Sequence, residues 1–142
     1  MSSKSFSKVL TLNDVGKTGS HQAGLHIPKK DKELLEFLPT LDVKTLNPST
    51  WIKCIDDHNE SWRFRFVYYN NKFHSLTGRR NEFRLTHTTK YLRSNSALEN
   101  DAFLISKESD DDFYRIKLIQ KSLKSLEKVP SKVELSGWRR IY

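Results

Sequence analysis

Cysteine occurs once in the 142 residues, at Cys54, so the chain can form neither an internal disulfide nor a cysteine-based zinc cluster. A lone thiol in a lysine-rich chain fits a reducing compartment. No apolar run approaches the roughly 18 residues that a membrane-crossing helix requires. The opening Met1-Ser2-Ser3-Lys4-Ser5-Phe6 lacks the apolar stretch of a secretory signal. A soluble, cytoplasmic protein with no membrane partner is the expectation. Aliphatic content is also low: hydrophobic residues make up 36% of the chain and aromatic residues alone 11%, which predicts a core built on large rings. The length suits one domain over residues 1–142 and is short for two.

Acidic residues are scarce in two places, and there the net charge of +8 accumulates. Residues 1–30 hold five lysines against Asp14 alone, and residues 72–93 hold six lysines and arginines against Glu82 alone. The rest of the chain is nearly balanced. Surplus positive charge gathered in this way is the footprint of a polyanion binder, although a solvated basic face has the same composition.

Period-2 alternation dominates the chain. Trp62, Phe64, Phe66 and Tyr68 fall on one face of a strand, with Arg63 and Arg65 on the other. Phe113 to Ile119 repeats the pattern, with Tyr114, Ile116 and Leu118 opposite Arg115 and Lys117. Weaker strands are expected at Lys8–Leu12, Gly24–Ile27, Trp51–Ile55, Phe83–Thr86, Ala102–Ser106 and Trp138–Tyr142. Helical signal is confined to Asp31–Leu38, with Asp31 as N-cap, and to Lys121–Lys128 before Pro130. Seven or eight short strands with one or two short helices describe a mainly β fold, an open or closed barrel.

The first basic segment holds a polar loop, Asn13-Asp14-Val15-Gly16-Lys17-Thr18-Gly19-Ser20-His21-Gln22-Ala23-Gly24-Leu25-His26-Ile27-Pro28. Its glycines permit tight turns and close approach to another surface. Lys17, Thr18, Ser20, His21 and Gln22 offer short donors and acceptors for phosphates and base edges. Gly16-Lys17-Thr18 superficially suggests a nucleotide-binding P-loop. That motif needs a glycine where Thr11 stands, and a long helix where a strand-like Gly-Leu-His-Ile-Pro follows. The second segment follows the aromatic strand and holds Lys72 and the cluster Arg79, Arg80, Asn81, Glu82 and Arg84, with Gly78 marking a turn. Arginine pairs with guanine, asparagine with adenine, and a glutamate accepts from cytosine. Glu82 amid three arginines has two readings: a base contact, or a partner that positions an arginine.

Catalytic constellations are missing. Asp42-Val43-Lys44 is the nearest match to a nuclease Asp-x-Lys, but it precedes Asn47-Pro48 in an expected loop. Asp56-Asp57-His58-Asn59-Glu60 reads as a solvated turn between strands, and no histidine has a lysine two places on. No cofactor or metal is expected. The alternative to a duplex binder is a module for RNA or single strands, with Phe64, Phe66 and Tyr68 as a stacking platform. Their alternation with arginines favours a core face instead.

The string Asn13-Asp14, Gly16 to Leu25 and Ile27-Pro28, together with Tyr68-Tyr69-Asn70, Thr77, Arg80-Asn81-Glu82 and Arg84-Leu85-Thr86, resembles the N-terminal effector domain of EcoRII-type restriction endonucleases. That domain is related to the DNA-binding domains of BfiI and NgoAVII and to the plant B-three domain. The resemblance implies a seven-stranded DNA-binding pseudobarrel that grips the major groove with two arms. It implies contacts from His21 in the first arm and from Arg80, Glu82 and Arg84 in the second, with His26 where EcoRII has tyrosine. It further implies a short G/C-rich site of CCWGG type, double-stranded DNA as partner and a monomeric, non-catalytic domain. A covalently linked nuclease domain in a restriction enzyme of the bacterial cytoplasm would then supply the cleavage.

Overall fold

The computed structural model describes residues 3–16, 24–121 and 137–141. Among these residues eight strands form a single sheet: β1 Ser3–Val9, β2 Leu25–Ile27, β3 Ser49–Ile55, β4 Ser61–Tyr69, β5 Glu82–Thr86, β6 Ala102–Glu108, β7 Tyr114–Ile119 and β8 Trp138–Ile141. Their spatial order is β2-β5-β4-β3-β7-β6-β1-β8, antiparallel throughout except for the short parallel contact of β3 with β7. The strand count is one above the seven of the resembling fold. Among the described residues, two helices of six residues each accompany the sheet, α1 Lys32–Phe37 and α2 Thr89–Ser94.

The sheet curls until its edges meet. Trp138 on edge strand β8, almost wholly buried, donates its indole N–H to the carbonyl of His26 on edge strand β2 at 2.8 Å. This cross-link makes the sheet a pseudobarrel, and it leaves fewer unpaired edge groups open to other chains. The interior is built of rings, as the composition predicts. Phe64, Phe103 and Tyr91 meet edge-on or tilted at 5.9–6.4 Å, and Trp138 joins Phe103 at 6.4 Å. Phe37 of α1 packs on Phe6 and Tyr114, and the Tyr114 hydroxyl donates to the Phe37 carbonyl at 2.8 Å. Asp31 caps α1, accepting from the Leu34 N–H at 3.1 Å.

The alternation of β4 and β7 holds except at Val67, which is buried on the arginine face: Phe64, Phe66 and Tyr68 are buried while Arg63 is exposed, and Tyr114 and Ile116 are buried while Arg115 and Lys117 are exposed. Two elements differ from expectation. The first strand runs over Ser3–Val9 rather than Lys8–Leu12, because a serine-lysine stretch of weak β-propensity is paired on both sides, with β6 and with β8. Lys8 is thereby turned inward, where it forms a buried ion pair with Asp14 at the foot of the first basic loop. Helix α2 was not expected, since it places only Tyr91 and Leu92 in the core and its Thr88 makes no side-chain cap. The helix expected at Lys121–Lys128 lies outside the described residues beyond Lys121.

Candidate nucleic-acid interface

Antiparallel register sets the residues on one face of β2, β5, β4 and β3 in rows, most of them open to solvent, with Val67 and Thr86 covered. Glu82 stands opposite Tyr69; His26 opposite Arg84, which is opposite Val67; Thr86 opposite Arg65, which is opposite Trp51; and Arg63 opposite Lys53. Successive rows are two residues, or about 7 Å, apart along the strands. The first row is where the second basic loop rejoins the sheet, and the third is where the first basic loop does so.

The second loop is a closed excursion between β4 and β5. The Lys72 N–H donates to the Arg80 carbonyl at 3.1 Å, and the Arg80 N–H donates to the Asn71 side chain at 2.8 Å. Gly78 sits against this neck, where a Cβ would stand 2.1 Å from the Asn71 carbonyl oxygen. No residue with a side chain fits there without moving the loop. Below the neck, the buried Asn70 holds the 43–47 segment: its amide donates to the carbonyls of Val43 and Thr45 and its oxygen accepts from the Asn47 N–H. The adjacent asparagines thus end the strand and tie the loop to its neighbour.

At the loop's exit, Glu82 engages both flanking arginines. Arg80 donates to one carboxylate oxygen through Nε at 3.0 Å and Nη2 at 2.8 Å, and Arg84 pairs with the other oxygen at 3.2 Å. The Arg80 guanidinium also lies over the Tyr69 ring, 3.7 Å from its centroid. Partial burial would raise the Glu82 pKa, but the hydrogen bonds and charges of Arg80 and Arg84 outweigh it and hold the group below the ordinary carboxylate value. Of the two readings of Glu82, this geometry is that of a partner positioning arginines. Asn81 accepts from the Tyr68 hydroxyl, and Tyr68 stacks on Phe83 at 4.2 Å, so the exit is anchored in the ring core.

Lys72, Arg79 and Arg80 are exposed, and Arg84 is largely covered beside Glu82. His26 faces solvent next to Arg84; desolvation first, and then the charge of Arg84, lower its pKa from the ordinary imidazole value. Lys17, Thr18, Ser20, His21 and Gln22 lie outside the described residues. The ends of their loop are described. Gly16 lies beside Thr89 and Arg93 of α2. Gly24, at φ +65°, lies so close to β5 that a Cβ would meet the Leu85 carbonyl oxygen at 2.4 Å. The two loops therefore leave the sheet at opposite ends of β5, Glu82 and Thr86, about 13 Å apart by strand rise.

Between the loop bases lies an open groove of about 450 Å³, lined by Gly24, Arg65, Tyr69, Thr86 and His87 among others. Tyr69, Arg65 and Asn71 join the candidate site, to which the sequence alone did not assign them. An aromatic ring in phase with arginines, on the polar face of β4, was the available signal for Tyr69.

The other candidate segments are structural. Asp42 is spent on its own turn, accepting from the Lys44 N–H and the Thr45 hydroxyl at 3.0 Å each. Asp56 closes the β3–β4 hairpin, accepting from the backbone of His58 and Glu60 and from the Trp62 indole. Among the described residues no three His, Cys, Asp or Glu side chains gather as a metal site. Phe64, Phe66 and Tyr68 are buried and form no stacking platform.

Comparison with known proteins places this architecture. The profile of the family described as restriction endonuclease EcoRII, N-terminal, matches residues 1–123. Type II restriction enzyme EcoRII of Escherichia coli is 33% identical over 112 residues, which cover 73% of this chain and 27% of that enzyme. An auxin response factor sequence of Arabidopsis thaliana is 42% identical over 80 residues, 56% of this chain and 12% of that protein. The chain thus spans a small part of these longer relatives. Among solved structures, a chain of an Arabidopsis FUS3–DNA complex superposes with a TM-score of 0.60 at 19% identity, covering 80% of this chain and 94% of that one. The chain belongs to the EcoRII N-terminal restriction endonuclease family and has the mainly β pseudobarrel fold that the plant domain shares.

Proposed function

We propose that this chain binds double-stranded DNA sequence-specifically, its two loops acting as arms in the major groove. The observation that carries the reading is the Tyr69–Arg80–Glu82–Arg84 assembly at the base of the second arm. A ring on one side and a carboxylate on the other restrict a guanidinium that is still half exposed, which is what bidentate reading of guanine needs. Such restriction lowers the entropy lost on binding. The arm bases, about 13 Å apart, match a major groove about 12 Å wide. The relatives support the partner: one is a restriction enzyme, and the superposing chain comes from a DNA complex.

On this reading Arg80 and Arg84 face guanines of a short G/C-rich site, His21 and Gln22 read from the first arm, and Lys17, Lys72 and Arg79 hold phosphates. Residues 1–142 act as one monomeric targeting or effector domain, without chemistry of their own, linked in a longer cytoplasmic protein to a nuclease domain. Competition binding tests the partner. Duplex DNA should displace a labelled duplex, while single strands and RNA should not. Preferential displacement by RNA or single strands would overturn the reading, as would cleavage of the duplex by this chain with magnesium.

A further inference from the structure

The arms rejoin the outer face at its first and third rows; the third and fourth rows also hold a second basic strip. Lys53 and Arg63 stand directly opposite each other on β3 and β4, both exposed. Like charges so placed destabilise a strand pair. Arg65 continues the strip toward the groove, and Lys90 of α2 lines the same groove. No acidic residue occupies any position of these rows. Their spine is Trp51, 48% exposed, an unusual state for the largest side chain on a strand. Its ring meets His87 edge-on at 4.8 Å and carries the Arg63 guanidinium at 5.6 Å. His87 itself is held at φ +66°, a left-handed conformation that costs a non-glycine residue energy, and its ring nitrogen Nδ1 lies 3.0 Å from the Thr86 hydroxyl. The result is a fixed bank of cations, continuous with the first arm through the Gly24–Thr86 contact and extending about 7 Å past it along the strands.

We infer that Lys53, Arg63 and Lys90, organised by Trp51 and His87, form a phosphate-binding strip that holds the sugar-phosphate backbone of the same duplex outside the recognised bases, on the first arm's side. This inference rests on the proposed DNA-binding function and extends its footprint. A polyanion is the partner because the strip repels itself and has no acid of its own. The duplex backbone is the polyanion because the strip continues the arm surface. It holds and does not read, since lysines on a strand surface carry no base-pair code.

The test is the salt dependence of binding to a mixed-sequence duplex, which requires no knowledge of the recognition site. The triple variant Lys53→Gln, Arg63→Gln, Lys90→Gln should flatten the plot of log affinity against log salt by about two units or more, at about 0.9 per lost phosphate contact. In a second measurement, discrimination between a duplex enriched by the wild type from a random library and the mixed duplex should stay as in wild type. Arg63→Lys, which keeps the charge, should retain the wild-type slope. A triple variant that melts like wild type and keeps its slope, while Lys72→Gln loses about one unit, would overturn the strip and leave the two-arm reading standing. Lost discrimination in the triple variant would place these residues in base reading and also overturn the inference. A wild-type chain that ignores duplex DNA would overturn the functional reading itself.

Discussion

Replacing Glu82 by glutamine separates the two roles that a carboxylate among arginines can play. In the native protein each carboxylate oxygen is occupied, one by two donors of Arg80 and the other by Arg84. An amide has one acceptor oxygen and one donor nitrogen, so Glu82→Gln keeps a single arginine and turns a donor on the other. The pair is partly exposed, with 45% of the Arg80 and 25% of the Glu82 side chain accessible, so the interaction must be discounted toward the surface range. Bidentate geometry and the Tyr69 ring place it near the top of that range, about 1 kcal/mol. If this energy holds Arg80 in its reading position, the ratio of cognate to random binding should fall about fivefold, 1.4 kcal/mol being tenfold. Removing an acid from a cationic face should meanwhile leave random-duplex affinity unchanged or raise it. Titrations of both duplexes, by fluorescence anisotropy at fixed salt, measure the two effects separately. Adding Glu82→Gln to the double variant Arg80→Ala, Arg84→Ala should cost little more, because the carboxylate acts through the two arginines it holds. Additive losses, or relaxation confined to a cytosine position, would refute the positioning role and return Glu82 to base contact.

Other perturbations probe the frame. Lys72→Gln should weaken cognate and random duplexes alike and lower the salt slope by about one, as read from binding isotherms at several salt concentrations. Gly24→Ala drives a Cβ into the Leu85 carbonyl at a positive φ, so it should lower stability by more than about 1 kcal/mol in denaturant titrations. The Asp56 carboxyl illustrates a pH dependence. Burial would raise its pKa, but the donors Trp62, Glu60 and His58 outweigh that and hold it below the ordinary 3.8. A depressed carboxylate stabilises the fold above its unfolded pKa, and that stabilisation is lost as the pH falls through the folded value. Asp56→Asn, which turns an amide donor on the Trp62 indole, should therefore cost about 1–2 kcal/mol near neutrality, with the deficit shrinking in acid. A deficit independent of pH would contradict this.

Much of the architecture was legible because alternation is a local signal. The ring-arginine alternation of β4 and the apolar alternation of β7 were set by which side chains could be buried, and the short β2 was bracketed by Gly24 and Pro28. What escaped depended on partners distant in sequence. The outer half of β1 is a strand because β6 and β8 flank it, and α2 is a helix because Tyr91 fits among Trp62, Phe64 and Phe103. The same holds for the site. Arg80, Glu82 and Arg84 were visible as a cluster fifteen or fewer residues from Tyr69, but that the ring lies under Arg80 follows from β4–β5 register alone. The Trp51–His87 contact joins strands and turns that nothing in the sequence brings together.

Selection of bound duplexes from a random-sequence library, with the wild-type chain and with Arg80→Ala in parallel, addresses the two-arm reading most directly. The wild type should enrich one short motif containing guanine, and the Arg80 variant should enrich the same motif with a single guanine position relaxed, at a cost of about 1–3 kcal/mol there. Enrichment of no common motif, or of an identical motif by both proteins, would contradict sequence reading by this domain.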